Sequence, residues 1–314
     1  MQATLPKKLC VIGSVNVDMT FRVARLPRPG ETLSCRSLVV GYGGKGANQA
    51  VAAARLGGEV LFIGSVGNDA HGSGAMKNLQ DANIDTSSMA IQTDLLTGTA
   101  AIVVDDQGED SIVIAAGANG HVSADLVSKS AHRIASGHSL LCQLETPIEA
   151  ALTAFRIARA AGVRTVLTPA PAVPLPDELL ELCDMCVLNH SELEILTGRL
   201  LVDSQEQQQA ADELRNRGVG TVVLTLGSRG AMILDEAGLT TIPAKAVRPV
   251  DTTGAGDAFT AALAVFSAEG LSLRDAAERA TTVAAITVTR PGAQSSFPTR
   301  SEVDAWHDAS VDLA

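Results

Sequence analysis

Long hydrophobic runs are missing from this 314-residue chain, and no stretch nears the roughly 18–20 unbroken apolar residues that a membrane span requires. Lys7 and Lys8 precede Leu9-Cys10-Val11-Ile12 in the manner of a signal peptide. Asn16 and Asp18 end that apolar run too early, however, and no small-residue cleavage site follows. The chain is therefore expected to be soluble and cytoplasmic, with no membrane partner. Basic charge is also in deficit: 24 Lys and Arg stand against 35 Asp and Glu, a formal charge of −11. A surface that negative repels a phosphate backbone, which argues against nucleic acid as a partner. Cys10, Cys35, Cys142, Cys183 and Cys186 are odd in number and widely scattered, unlike a disulfide framework. Cys183 and Cys186 have C-x-x-C spacing, but no second such pair supplies the further ligands a structural zinc needs. Beside Val187-Leu188 they read as small core hydrophobes. Low-complexity tracts, charge blocks and internal repeats are absent as well.

What remains is a globular composition, 46% apolar, in a length that suits about two domains or one large α/β unit. Continuous apolar runs at 8–13, 60–66, 139–143, 164–167, 185–188 and 221–225 suit strands buried on both faces of a parallel sheet. Amphipathic runs at 47–56, 75–82, 124–134, 148–161, 205–217, 256–268 and 273–289 separate or follow them. The alternation predicts a three-layer, doubly wound, mostly parallel α/β domain over the whole chain, 1–314. Two stretches, approximately 18–42 and 97–117, alternate polar and apolar residues around turns. They predict a small β-sheet inserted in two pieces that could cover a cleft.

Five motifs could carry chemistry. Gly41-Tyr42-Gly43-Gly44-Lys45-Gly46-Ala47-Asn48 matches G-x-G-x-x-G but follows a half-exposed segment, and no acid ends the next strand, as a dinucleotide site requires. Nor is it a Walker loop, because Gly46 follows Lys45. It is either a backbone cradle for a polyhydroxylated ligand, with Lys45 and Asn48 as donors, or a turn built for packing. Asp251-Thr252-Thr253-Gly254-Ala255-Gly256-Asp257 is more specific. Glycines opening a helix leave outward N–H groups at its positive end, which makes an anion hole. An acid there repels phosphate, so Asp257 makes sense as the base that takes a proton from a hydroxyl attacking it. The helix terminus should hold Asp257 ionised, acting by position rather than by a raised pKa. Asn189-His190-Ser191-Glu192 ends a strand where ligands bind in open α/β sheets, and Glu192 could hold a hydrated Mg²⁺. A helix cap would explain the same residues. Thr225-Leu226-Gly227-Ser228-Arg229-Gly230 offers backbone to a nucleotide, or simply turns a hairpin. The stretch 289–296 is rich in hydroxyls and carbonyls.

Gly43–Asn48 and Asp251–Asp257 together resemble the two signatures of the ribokinase family of sugar kinases, within the phosphofructokinase-B superfamily. The likeness covers nearly the whole chain and is strongest to members that phosphorylate ribose. It implies transfer of the γ-phosphoryl group of ATP to the 5-hydroxyl of D-ribose, giving D-ribose 5-phosphate. By matching position, Asn16, Asp18, Gly44, Lys45, Asn48 and Glu145 would contact the sugar. Asp257 would be the base, with Gly254, Ala255 and Gly256 as the anion hole. Asn189, Thr225, Gly227, Ser228, Gly230, Gly256 and Thr281 would line the nucleotide. Asp251, Thr253, Thr287, Arg290, Gly292 and Ser296 would form a K⁺ loop, mostly through backbone oxygens, beside MgATP bound with help from Glu192. A β lid clasping that of a second subunit would make a homodimer. Thr168 stands where many members have Asn, and Thr281 where His is common. Alternatives are a kinase for 2-deoxyribose or for a nucleoside such as pseudouridine, and a sugar-binding sensor without turnover.

Overall fold

The computed structural model describes residues 7–311, with side chains as far as 306. In chain order, β1 (Lys8–Ile12), β2 (Asn16–Arg22) and β3 (Ser37–Gly43) lead into helix α1 (Lys45–Arg55). Next come β4 (Glu59–Ile63), β5 (Ser65–Gly67), α2 (Ala70–Asp81), β6 (Ala90–Gln92), β7 (Gly98–Val104) and β8 (Asp110–Ala115). They are followed by α3 (Ala124–Lys129), α4 (Ala131–Ile134), β9 (Ser139–Cys142), α5 (Ile148–Ala160), β10 (Arg164–Leu167), α6 (Asp177–Glu181) and β11 (Met185–Asn189). The remainder is α7 (His190–Thr197), α8 (Ser204–Asn216), β12 (Thr221–Thr225), β13 (Ala231–Asp235), β14 (Gly238–Ile242), α9 (Ala255–Ala268), α10 (Leu273–Val288) and α11 (Arg300–Val311).

Eight strands form the main sheet in the order β14-β13-β12-β11-β10-β9-β1-β4. Its pairs are parallel from β4 to β12 and antiparallel at β12–β13 and β13–β14. Successive residues of the buried strands face opposite layers, which is why these runs are continuously apolar. Val11, Phe62, Leu141, Val166, Val187 and Val223 join one core with α1, α9 and α10. Cys10, Ile12, Ile63, Leu140, Cys142, Leu167, Cys186 and Leu188 join the other, with α3 to α8. Four of the five free cysteines are thus buried; only Cys35 is exposed. Among the described residues no helix is long and apolar enough to cross a membrane.

From β1 the chain pairs first with β4 on one side and then with β9 on the other. This reversal opens a crevice beyond the carboxyl ends of β1 and β9, where ligands bind in open α/β sheets. Over it lies a second sheet, β3-β2-β7-β8, in which β2 and β7 run parallel and the two outer pairs are antiparallel. One face of it, carrying Asp18, Thr20 and Arg22, borders a cavity of about 1140 Å³ that reaches Asp251–Thr253 and Pro291–Ser295.

Several elements differ from the sequence pattern. The run 60–66 is two strands, because Gly64 brings the chain against Gly13: a Cβ there would stand 2.8 Å from Gly13 O and 2.5 Å from the Phe62 ring. β5 then leaves the main sheet to pair with β6. Helix α2 begins at Ala70, earlier than its apolar run suggests, because the Asp69 side chain caps it through Gly72 N at 2.7 Å. The run 124–134 breaks at Ser130, whose hydroxyl donates to Ser88 Oγ at 2.9 Å. The short helix α6, the edge hairpin β13–β14 and α11 have no counterpart in the sequence reading, and α7 answers only to the alternative in which Asn189 caps a helix.

A close backbone approach joins the end of β1 to the first turn of α1. A Cβ on Gly46 would stand 2.6 Å from Gly13 Cα and 2.7 Å from Ser14 N, with no flexible side chain to yield. Gly46→Ala should cost about 1–3 kcal/mol of stability. Gly256→Ala, with open space around the added methyl, should be neutral or stabilising. Denaturant midpoints of the two variants beside the parent check this pair of outcomes.

Candidate active site

The crevice is organised by the amino end of α1. Ser14 Oγ donates to Glu145 Oε2, and the same oxygen accepts the Lys45 N–H at 3.0 Å. Ala47 N donates to Ser14 O at 2.9 Å. The carboxylate of Glu145 thereby sits on the positive end of the helix. Gly44 makes the turn with φ +87°, and a Cβ there would lie 2.8 Å from Asn16 N. Gly43 leaves room for Asp18, whose Oδ2 would be 2.0 Å from an added Cβ. Burial first, and then the negative charge of Glu145, push the Asp18 pKa up to about 6, with Lys45 pulling it down. Asn16 is held from behind by Asn119, whose Nδ2 donates to Asn16 Oδ1 at 2.7 Å and to Val15 O at 3.0 Å.

Asp257, in the first turn of α9, is buried. Asn48 Nδ2 donates to its Oδ2 at 3.0 Å and Gln49 Nε2 to its Oδ1 at 3.1 Å. Burial raises its pKa, Lys45 and these two amides oppose the rise, and Glu145 adds to it. The net shift is upward, contrary to the sequence expectation of an unshifted acid. Full desolvation outweighs the helix terminus. Ahead of it, Gly254 adopts φ +77° at the N-cap, where a Cβ would meet the Phe297 ring at 2.9 Å. The Ala255 N–H turns back to Thr252 O at 3.2 Å. The next N–H groups, of Gly256 and Asp257, occupy positions that have no partner within a helix.

Asp251 joins this turn to the distant segment 287–296. Its Oδ1 accepts from Thr253 N at 2.9 Å and Thr253 Oγ1 at 2.6 Å, and its Oδ2 from Gly292 N at 2.9 Å. Burial works against ionisation there, but these donors and Arg22 overcome it and hold the carboxyl below its usual range. Thr287 and Ser296 turn their hydroxyls onto backbone, at Val283 O (2.9 Å) and Ala293 O (2.6 Å). Arg290 pairs with Glu302 at 2.6 Å. What the segment can offer an ion is therefore one carboxylate and backbone oxygens.

On the other side of α9, Thr225, Gly227, Ser228, Gly230, Gly256 and Thr281 line one cleft of about 430 Å³, with Phe259, Ala284 and Val288 as apolar wall. Thr252 lines both this cleft and the large cavity, so the α9 turn stands between the two. Asn189 is outside the cleft lining. It forms a capping box with Glu192 at the start of α7: Asn189 N donates to Glu192 Oε2 at 2.8 Å and Glu192 N to Asn189 Oδ1 at 2.9 Å. Burial raises the Glu192 pKa; the Asn189 N–H and Lys45 lower it, and Asp257 raises it.

Sequence reasoning missed Gln49, Gln143, Asn119 and Gln294. Gln143 Nε2 donates to Gln49 Oε1 at 2.6 Å, and Gln294 Nε2 to Asn48 Oδ1 at 3.2 Å. None carries a charge or a motif spacing of its own; only Gln49 gave a signal, an amide side chain among the alanines of an apolar helical face.

The profile of pfkB family carbohydrate kinases matches residues 6–300 of the chain. The ribokinase of Haemophilus influenzae is 43% identical over 296 residues, covering 94% of this chain and 97% of that protein. The ribokinase of Mus musculus is 41% identical over 298 residues, covering 93% and 92%. The solved structure of Arabidopsis thaliana ribokinase complexed with ribose and ATP superposes with a TM-score of 0.89 at 32% identity, covering 96% of this chain and 98% of that one.

The raised Asp18 value has a measurable consequence for the ligand-free protein. An acid that titrates at about 6 when folded and near 3.8 when unfolded binds protons more tightly when folded, so its contribution to stability falls as pH rises through that window. Asp18→Asn should therefore be more stable than the parent above pH ~6, and the gap should close towards pH ~4. Denaturant unfolding of both proteins across that range measures the gap; a constant difference would refute the burial argument.

Proposed function

This chain belongs to the pfkB family of carbohydrate kinases, and we propose that it is an ATP-dependent ribokinase, moving the γ-phosphoryl group of ATP to the 5-hydroxyl of D-ribose. The observation that carries the reading is Asp257. It is a buried carboxylate gripped from two sides, following a turn whose Thr252 lines both the large cavity and the apolar-walled cleft. The ribokinase relatives, alike over almost their full length, support ribose as the sugar.

In this reading Asn16, Asp18, Gly44, Lys45, Asn48 and Glu145 hold the pentose, carboxylates accepting from neighbouring hydroxyls and amides serving as donors or acceptors. Asp257 accepts the proton of the attacking hydroxyl, and its raised affinity for that proton suits the task. The outward N–H groups of Gly256 and Asp257, with Gly254 shaping the turn, receive the charge that builds on the transferred phosphoryl group. Thr225, Gly227, Ser228, Gly230 and Thr281 seat the nucleotide, and Asn189 contributes by fixing α7 and Glu192 beside it. A divalent ion, Mg²⁺ by its preference for retained water and few carboxylates, would sit near Glu192 and neutralise phosphate charge. A monovalent ion, K⁺, suits the set around Asp251, Thr253, Thr287, Arg290, Gly292 and Ser296, where one carboxylate stands among neutral oxygens. The segments 18–42 and 97–117 act as a lid. Leu38, Val40 and Val113 lie half or more exposed on the face opposite Asp18 and Thr20, an apolar surface that a second lid would cover in a homodimer.

Coupled ADP release across ribose, 2-deoxyribose, hexoses and nucleosides tests the activity; turnover of nucleosides alone would overturn it. Asp257→Asn should lose about 10² to 10⁴ in kcat while sugar and ATP still bind. Retention of rate within about threefold would remove Asp257 from the chemistry. At fixed ionic strength, K⁺ should activate relative to Na⁺, and Asp251→Ala should erase that response. Equal rates in both salts would leave Asp251 as a turn cap only.

A further inference from the structure

The donors that hold Asp257 are themselves held, and all point the same way. On one side, Asn78 Nδ2 donates to Gln294 Oε1 at 2.7 Å, Gln294 Nε2 to Asn48 Oδ1 at 3.2 Å, and Asn48 Nδ2 to Asp257 Oδ2 at 3.0 Å. On the other, Gln143 Nε2 donates to Gln49 Oε1 at 2.6 Å and Gln49 Nε2 to Asp257 Oδ1 at 3.1 Å. The second hydrogen of Gln49 Nε2 goes to Thr168 Oγ1 at 3.1 Å. An amide chain has a direction: each carbonyl must accept for its nitrogen to face onward. Both chains present only donors to their shared end, which favours the ionised carboxylate over the protonated acid.

Gln143 shows that the direction has a cost. Its Oε1 is buried without a hydrogen-bond partner and lies where a Cβ on Gly13 would be, 2.1 Å away. A buried, unsatisfied carbonyl is destabilising. Turning the amide over would set its oxygen against Gln49 Oε1 and free Gln49 to rotate its own carbonyl towards Asp257. The arrangement favours the orientation of Gln49 over the hydrogen bonding of Gln143.

We infer that Gln49, locked by Gln143 and Thr168, is a positioning residue for the phosphoryl-transfer step: it fixes Asp257 Oδ1 and holds that carboxylate in its proton-accepting form. The inference rests on Asp257 being the base. Gln49 is wholly buried, so it acts on the rate through Asp257 and leaves substrate affinity alone. The charged groups that act on Asp257 alongside it are Lys45, Glu145 and Glu192, and they remain in every variant below.

Gln49→Met keeps the volume and removes the donor. With one charge-assisted hydrogen bond lost, kcat should fall about 10- to 100-fold while KM for ribose and for ATP stay within about threefold. The acid limb of the kcat profile should move about one unit to higher pH, because the ionised carboxylate is less well held. Gln143→Met, which leaves Gln49 in place, should shift rate and limb in the same direction by less. The double variant should be no worse than Gln49→Met, since both act through one contact. Thermal unfolding shows whether each variant folds, and Gln143→Met carries the test if Gln49→Met does not. Asp257→Asn measured in parallel separates the two ideas. If Asp257→Asn is inactive while Gln49→Met keeps the parental kcat and acid limb, the positioning role is wrong and the base stands. If Asp257→Asn stays active, the base reading fails first. A loss in Gln49→Met that falls on both KM values, with an unmoved limb, marks a merely structural residue.

Discussion

A carboxylate taken largely out of water must be given donors, or it will be protonated or prevent folding. Asp257 is such a group, and much of the architecture can be understood as the means of supplying those donors. Helices α1 and α9 share one core on the same side of the sheet, where Ala47, Ala50 and Ala53 of the first and Ala258, Ala261 and Ala262 of the second are all buried. Small side chains let two helices approach closely. That approach puts Asn48 and Gln49 within hydrogen-bonding reach of Asp257.

The position of α1 is in turn set by the sheet. The chain reverses its direction of strand addition at β1, and the Gly13–Gly46 contact seats the helix directly over the end of that strand. Glu145, arriving from the end of β9, closes the amino end of α1 together with Ser14. The same carboxylate raises the proton affinity of both Asp18 and Asp257, and Lys45 lowers it. Asp18 and Asp257 are thus under the influence of the same two charges.

A chain of net charge −11 that handles a triphosphate needs local compensation. In the turn 251–257 that compensation comes from backbone dipoles in place of arginines. Asp251 holds the turn to the 287–296 segment through Gly292, and Gln294 of that segment reaches Asn48. The loop and the carboxylate are thus linked through Gln294 and Asn48.

The parallel strands, the long helices and the glycine turn before Asp257 were legible in the sequence. Each depends on local rules: two-sided burial makes a run continuously apolar, and a helix start needs residues without side chains where N–H groups must face a ligand. Gly44 and Lys45 stood in the glycine motif before α1, Asn16 and Asp18 were pointed to only by the family resemblance, and Asp251 stood out as an acid beside a loop of hydroxyls and carbonyls. The break at Gly64 and the hairpin β13–β14 were not, because contacts with Gly13 and the neighbouring strand decide them; the early start of α2 follows from the Asp69 cap. The capping box of Asn189 and Glu192 was visible as one of two readings, and the structure shows that geometry directly. Gln49, Gln143, Asn119 and Gln294 look like ordinary polar residues in one dimension. Composition and spacing determined which groups could ionise, turn or bury. Only the tertiary structure decided which amide faces which oxygen, because a hydrogen bond between residues 49 and 257 is a property of helix packing, which no local stretch of chain encodes.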